Sequence, residues 1–129
     1  MNQIRSEHLE NHTNKTYQER MNQTVSSKFG AIEKHLGENI KLLDFGSGFS
    51  PEFIKQVTQT GTHYVAYDVS QIVQSQLQEN NIDFITKEQL ENAEDEFDII
   101  YMSSVFHELM SYLSRPERTK TFAMLDKAL

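Results

Sequence analysis

Ile40-Lys41-Leu42-Leu43-Asp44-Phe45-Gly46-Ser47-Gly48-Phe49-Ser50-Pro51 decides the fold, because it passes from a buried strand through a glycine turn into a helix. The run from Ile40 to Phe45 is short and mostly apolar, as a strand must be when both faces of its sheet are covered. Gly46 and Gly48 give the backbone the freedom a tight turn needs. Ser50 then stands where a helix cap belongs and Pro51 at the first helical position, with Phe53, Ile54 and Val57 as the inward face.

Downstream the unit repeats in looser form. His63 to Tyr67 reads as a second strand with Asp68 at its end, and Ser70 caps a helix through Ile72, Val73 and Leu77. Asn80-Asn81 marks a turn, Ile82 to Ile85 a third strand, the acidic stretch Lys87 to Glu96 a surface connection, and Phe97 to Met102 a fourth strand. Helical spacing returns at Phe106, Leu109, Met110 and Leu113, and again after Pro116 at Arg118, Phe122, Leu125 and Leu129. Upstream, Tyr17, Met21, Val25, Phe29, Ile32 and Leu36 fall on one helical face that Gly37 ends, after a polar, weakly patterned start. The expected organisation is an N-terminal helical segment over residues 1–36 and a core over 37–129. Strands alternating with helices predict an α/β fold, a three-layer α-β-α sandwich around a mainly parallel sheet.

Composition narrows the function classes. At 129 residues and 37% hydrophobic content, the chain suits one domain with a real core. Without cysteine it has no disulfide, no thiolate zinc site and no thiol nucleophile. No apolar run approaches the roughly 20 residues a membrane crossing needs, and the polar start lacks a signal peptide's apolar core, so a soluble cytoplasmic protein away from membranes is expected. A net charge of -7, with acidic residues clustered from Glu88 to Asp98, does not indicate nucleic-acid binding. His107-Glu108 begins a zinc-protease pattern, but Ser111 stands where the second histidine would be, and no metal site is expected. Met102, Met110 and Met124 read as core residues.

In a parallel sheet of this kind, ligands lie at the carboxyl ends of the strands, where three segments should meet. Asp44 to Ser50 offers a close backbone approach and free amides at a helix start. Asp68, at the end of the next strand, is placed to accept hydrogen bonds from ribose hydroxyls. Ser103-Ser104-Val105 follows the fourth strand. A dinucleotide fingerprint would need glycine where Pro51 stands, which disfavours a nicotinamide-dependent reductase.

These residues resemble the class I, Rossmann-like S-adenosylmethionine-dependent methyltransferases. Leu42-Leu43-Asp44-Phe45-Gly46-Ser47-Gly48 is similar to the family's first motif, in which an acid precedes the glycine turn that holds the methionine part of the cofactor. Tyr67-Asp68-Val69-Ser70 is similar to the second, whose acid binds both ribose hydroxyls, and Phe97 to Leu109 resembles the fourth strand and the helix beneath the cofactor. The resemblance implies S-adenosyl-L-methionine as cofactor, held by Asp44, Phe45, Gly46, Ser47, Gly48, Phe49, Asp68, Val69, Ser103 and Ser104. It implies methyl transfer to an acceptor the sequence does not identify, with His107 or Glu108 as a base where the nucleophile needs one.

Departures from the family pattern are also legible. Phe49-Ser50 stands where a third small residue is common, Thr86 to Gln89 offers no clear acid for the adenine amine, and Ser103-Ser104-Val105-Phe106 replaces the Asn/Asp-Pro-Pro-aromatic motif of many amino-methylating enzymes. Family members usually continue with a further strand and an antiparallel pair, whereas this sequence ends at Leu129, truncated after the helix that follows the fourth strand. The fourth strand is then an edge, to be covered by the rest of a longer protein, by a partner chain or second copy, or by the last helix. The alternative to an enzyme is a noncatalytic S-adenosylmethionine-binding or scaffold module.

Overall fold

The computed structural model of the chain describes residues 28–102 and 113–129. The chain divides into two units between Lys34 and His35. Residues 28–32 are helical and run into a 3-10 turn at Glu33–His35, so the helix expected to reach Leu36 stops one residue short of it. The second unit carries everything that follows.

Its centre is a parallel sheet of β1 (Lys41–Phe45), β2 (His63–Tyr67) and β3 (Ile99–Tyr101), in the order β2-β1-β3. Between them lie α1 (Pro51–Gln59), α2 (Gln71–Glu79) and α3 (Lys87–Glu91), and α4 (Arg115–Ala128) closes the chain. Leu42 stands opposite both Tyr64 and Ile99, and Asp44 opposite both Ala66 and Tyr101. Side chains at matched positions share a face, which sorts the core into two halves.

One face carries Leu42, Asp44, Tyr64, Ala66 and Tyr101 and packs against α1, whose Phe53 ring stacks on Tyr101 with centroids 5.5 Å apart. Phe53, Ile54 and Val57 are buried, as the helical spacing required. The opposite face carries Leu43, Phe45, Val65 and Tyr67, which join Leu90 of α3 and Leu125 and Ala128 of α4 in one apolar cluster. Helices thus cover both faces of a parallel sheet, the three-layer, Rossmann-like arrangement the alternating pattern demanded.

Local expectations are corrected at five points. The third strand over Ile82 to Ile85 shrinks to one parallel bridge between Phe84 and Ala66 on the outer edge of β2. Amides at Ala66 and Ile85 make its two bonds, each 2.9 Å. It cannot lengthen, because Asn81 turns left-handed at φ 57° to end α2 and Thr86 already caps the next helix. That next helix, α3, replaces the expected surface connection. Thr86 accepts from the Gln89 amide at 3.1 Å while the Gln89 side chain accepts from the Thr86 amide at 2.9 Å, a reciprocal capping box.

The fourth strand begins only at Ile99, because the amides of Glu96 and Phe97 are engaged elsewhere. Both donate to the Ala128 carbonyl, at 2.8 and 3.0 Å, and so satisfy an acceptor that the end of α4 would otherwise leave open. This also turns Ala128 inward in place of Leu129, which is exposed. Ser50, finally, occupies the cap position of α1 without a side-chain cap bond, and the helix start rests on Pro51 and on the Ser50 carbonyl, which accepts from Ile54 at 3.0 Å. Ser70 caps α2 as expected, accepting from the Val73 amide.

Among the described residues, β3 pairs on one side only, with β1. No described helix is long and apolar enough to cross a membrane. Leu43 is fully buried in the apolar cluster that joins the sheet to α3 and α4. Leu43→Ala is expected to lower the unfolding free energy by about 2 to 5 kcal/mol, read from urea denaturation of the two chains.

Candidate functional site

β1 and β2 end level, with Phe45 opposite Tyr67. Beyond that pair the two chains stay joined. The Tyr67 carbonyl accepts from Gly46 at 2.8 Å and from Ser47 at 3.1 Å, which folds the exit of β1 over the end of β2. Gly46 and Gly48 have φ of 76° and 58°, the left-handed region that glycine enters without steric cost. At Gly48 the direction of the chain brings its amide to the Asp68 carboxylate, 2.8 Å away.

Asp68 is held from three directions. One carboxylate oxygen accepts from Gly48, the other accepts from the Ser70 amide at 2.9 Å, and the Asp68 carbonyl accepts from the Gln74 side chain at 2.8 Å. Each carboxylate oxygen has lone pairs beyond the bond it makes here, and the residue is only half-buried. Beside it Val69 is 80% exposed, an apolar side chain in water next to an anion.

Below the turn, Asp44 is a buried carboxylate at the end of β1, 4% exposed. The Tyr64 hydroxyl, one step back on β2 and on the same sheet face, donates to its Oδ2 at 2.6 Å. Burial raises the Tyr64 phenol well above the ordinary tyrosine value; the Asp44 charge and hydrogen bond add to this, and the Ser47 hydroxyl opposes it. Burial also raises Tyr67, with Glu91 and Asp68 contributing. Phe45 stacks on Tyr67 at 5.1 Å and lies in the core, so it supports the turn from beneath.

The structure therefore brings Asp44, Gly46, Ser47, Gly48 and Asp68 to one end of the sheet, and Phe49 and Val69 adjoin them in the chain. Ser103, Ser104, His107 and Glu108 lie outside the described residues. Tyr64 is the member that sequence reading did not assign. Its contact depends on the register between β1 and β2, which no local pattern displays.

An adenosyl ligand suits this end of the sheet. A side-chain carbon added at Gly48 would meet nothing within 4 Å among the described residues, so the turn is open at that position. A carboxylate with lone pairs to offer and an exposed apolar neighbour border that space, the chemistry a ribose and a flat base need. A recess of about 550 Å³ lies at the other end of the sheet, beside Lys41 and His63, which begin β1 and β2. Four of its polar groups pair, His63 with Asp83 at 2.7 Å and Lys41 with Glu96 at 3.1 Å.

A sequence profile for a methyltransferase domain matches residues 17–124. The chain belongs to that family. By fold, this methyltransferase domain is similar to a TehB-like S-adenosylmethionine-dependent methyltransferase from Corynebacterium glutamicum, with TM-score 0.60 and 18% identity over 89% of this chain and 66% of the other. It is also similar to a candidate sarcosine dimethylglycine methyltransferase from Galdieria sulphuraria, with TM-score 0.57 and 18% identity over 85% of this chain and 43% of that one. The domain thus spans just under two thirds of the first protein's length and less than half of the second's. No protein of curated function matches it by sequence.

Two outcomes follow from this geometry. Because the folded domain keeps the Tyr64 proton past the ordinary value of 10.0 and the unfolded chain does not, stability is lost as pH rises above that value. Denaturation at increasing alkaline pH should show a slope approaching about 1.4 kcal/mol per pH unit from this group, reduced by that amount in Tyr64→Phe. Asp68→Ala should destabilise the ligand-free domain by about 1 to 2 kcal/mol, since two backbone amides lose a charged acceptor at a partly solvated site. Unchanged urea midpoints would show that Asp68 does not hold the turn.

Proposed function

We propose that this domain binds S-adenosyl-L-methionine at the carboxyl ends of β1 and β2 and transfers its methyl group to an acceptor. The observation that carries the reading is the hydrogen bond from the Gly48 amide to Asp68, which makes the glycine turn and the ribose-binding acid one rigid unit. In this reading Asp68 accepts from the ribose hydroxyls with its remaining lone pairs, Val69 lies against the adenine, and the Gly46 to Gly48 turn runs along the methionine portion. Asp44 faces the ammonium group of that portion from below.

The cofactor supplies both the activated methyl and its own leaving group, a neutral thioether. What remains for the protein is alignment of the nucleophile with the carbon–sulfur bond and exclusion of water. A turn tied down at Gly46, Ser47 and Gly48 is suited to that task, because its amides do not reorient during the displacement. Where the acceptor must lose a proton, His107 and Glu108 are the side chains we assign as candidate bases. The absence of cysteine suits a cytoplasmic setting.

Calorimetry with S-adenosylmethionine and S-adenosylhomocysteine tests the binding step, and both are expected to bind in the micromolar range. Radiolabelled methyl transfer into a cell lysate tests the chemistry. Absence of binding by either ligand would discard the reading, and binding without any transfer would make the domain a noncatalytic module.

A further inference from the structure

We infer that the recess at the amino end of the sheet is a second ligand site, which takes a small organic ammonium ion with an apolar body. The inference stands apart from the cofactor reading, and its test needs no cofactor.

The recess exists because one helix is short. α3 has five residues, about 7.5 Å of helix, whereas the five residues of β2 extend for about 16 Å. α3 therefore cannot roof β2 from end to end, and a recess of about 550 Å³ remains beside Val65 and the start of the strand. Its apolar side is formed by Val65, Ile85, Ala93 and Phe97, all buried members of the cluster that joins α3 and α4 to the sheet. That volume lies within the roughly 300–1,000 Å³ of small-molecule sites, whereas a stable protein interface takes about 800 Å² from each partner. The shape selects a small molecule over a docked chain.

Charge then selects its sign. Three carboxylates line the recess, those of Asp83, Glu88 and Glu96. Asp83 pairs with His63 and Glu96 with Lys41, whereas Glu88 enters no ion pair among the described residues. The lining thus keeps an unmatched negative charge, which attracts a cation and repels an anion. Lys41 shows the same preference within the chain, with its ammonium 3.1 Å from Glu96 and 5.3 Å from the centre of the Phe97 ring. A ligand ammonium at Glu88, with its hydrocarbon body against Val65, Ile85 and Ala93, repeats that combination of carboxylate and apolar wall. The wall is also set in advance. Gln89 closes the capping box with Thr86, and the Asn92 side chain donates to the Glu88 carbonyl at 2.9 Å, so binding has little left to order.

Phenethylamine and hydrocinnamate, which share an aromatic body and carry opposite charges at neutral pH, serve as probes. Titrated into the full chain and followed by amide chemical shifts, the amine is expected to saturate, with the largest shifts at Val65, Ile85, Ala93 and Phe97. Hydrocinnamate is expected to bind about fivefold more weakly. Glu88 is exposed, so its replacement spares the core. Glu88→Gln should weaken the amine about threefold, and Glu88→Lys should invert the preference between the two probes. Equal binding of both probes, a preference unmoved by Glu88→Lys, or shifts scattered over the surface would overturn the inference, as would the lack of saturable binding by the amine.

Discussion

A backbone amide leaving one strand and a carboxylate ending the next sit 2.8 Å apart, and the candidate site is organised around that bond between Gly48 and Asp68. It forms because β1 and β2 run parallel and stop level, so two turns that are distant in sequence begin side by side. Shifting the pairing by one residue would send Asp44 to the opposite face and carry Asp68 out of reach of the turn. The register is held from both sides of the sheet. Leu42, Tyr64 and Ala66 must face α1, while Leu43, Phe45, Val65 and Tyr67 must face the cluster containing α3 and α4. Apolar packing thereby determines where a polar site can exist.

The same logic explains what was legible in the sequence. The first strand, the glycine turn and the helix after it could be read because each carries a local signal: an apolar run, left-handed positions and a proline start. Asp68 could be read because it ends a strand and precedes a cap. What escaped depended on competition between neighbours. Residues 82–85 have strand chemistry, but the left-handed Asn81 and the capping Thr86 leave room for one bridge. The helix Lys87–Glu91 was hidden by its charge, although the threonine-to-glutamine spacing of a capping box lay in plain view. Phe97 and Asp98 directly precede β3 in the sequence, yet the Glu96 and Phe97 amides belong to the Ala128 carbonyl and Asp98 binds Lys41. Long-range hydrogen bonds of this kind leave no periodic trace.

The two ends of the sheet show how differently polar groups can be used. At the amino end, His63, Asp83, Lys41 and Glu96 pair at the surface, where water screens them and each pair contributes little. At the carboxyl end the polar groups are Asp44, Tyr64, Gly48 and Asp68, and they are organised by burial and by backbone amides rather than by opposite charges. Amides held in a turn cannot swing away as a lysine can. Their orientation is therefore fixed before a ligand arrives.

Asp44 makes the cost of that arrangement visible. A carboxylate buried beside Leu42 and under the turn costs desolvation that a leucine or valine of similar reach would avoid. The Tyr64 phenol is one of the donors that compensate, and this in turn removes a tyrosine hydroxyl from water and shifts its titration. Two polar groups are thus kept in a core layer where apolar side chains would be more stable. Stability alone gives no reason to keep them, because the neighbouring face reaches full burial with Leu43, Phe45 and Val65. The pair belongs instead to the polar end of the sheet, where the register of β1 and β2 puts the carboxylate directly beneath the glycine turn.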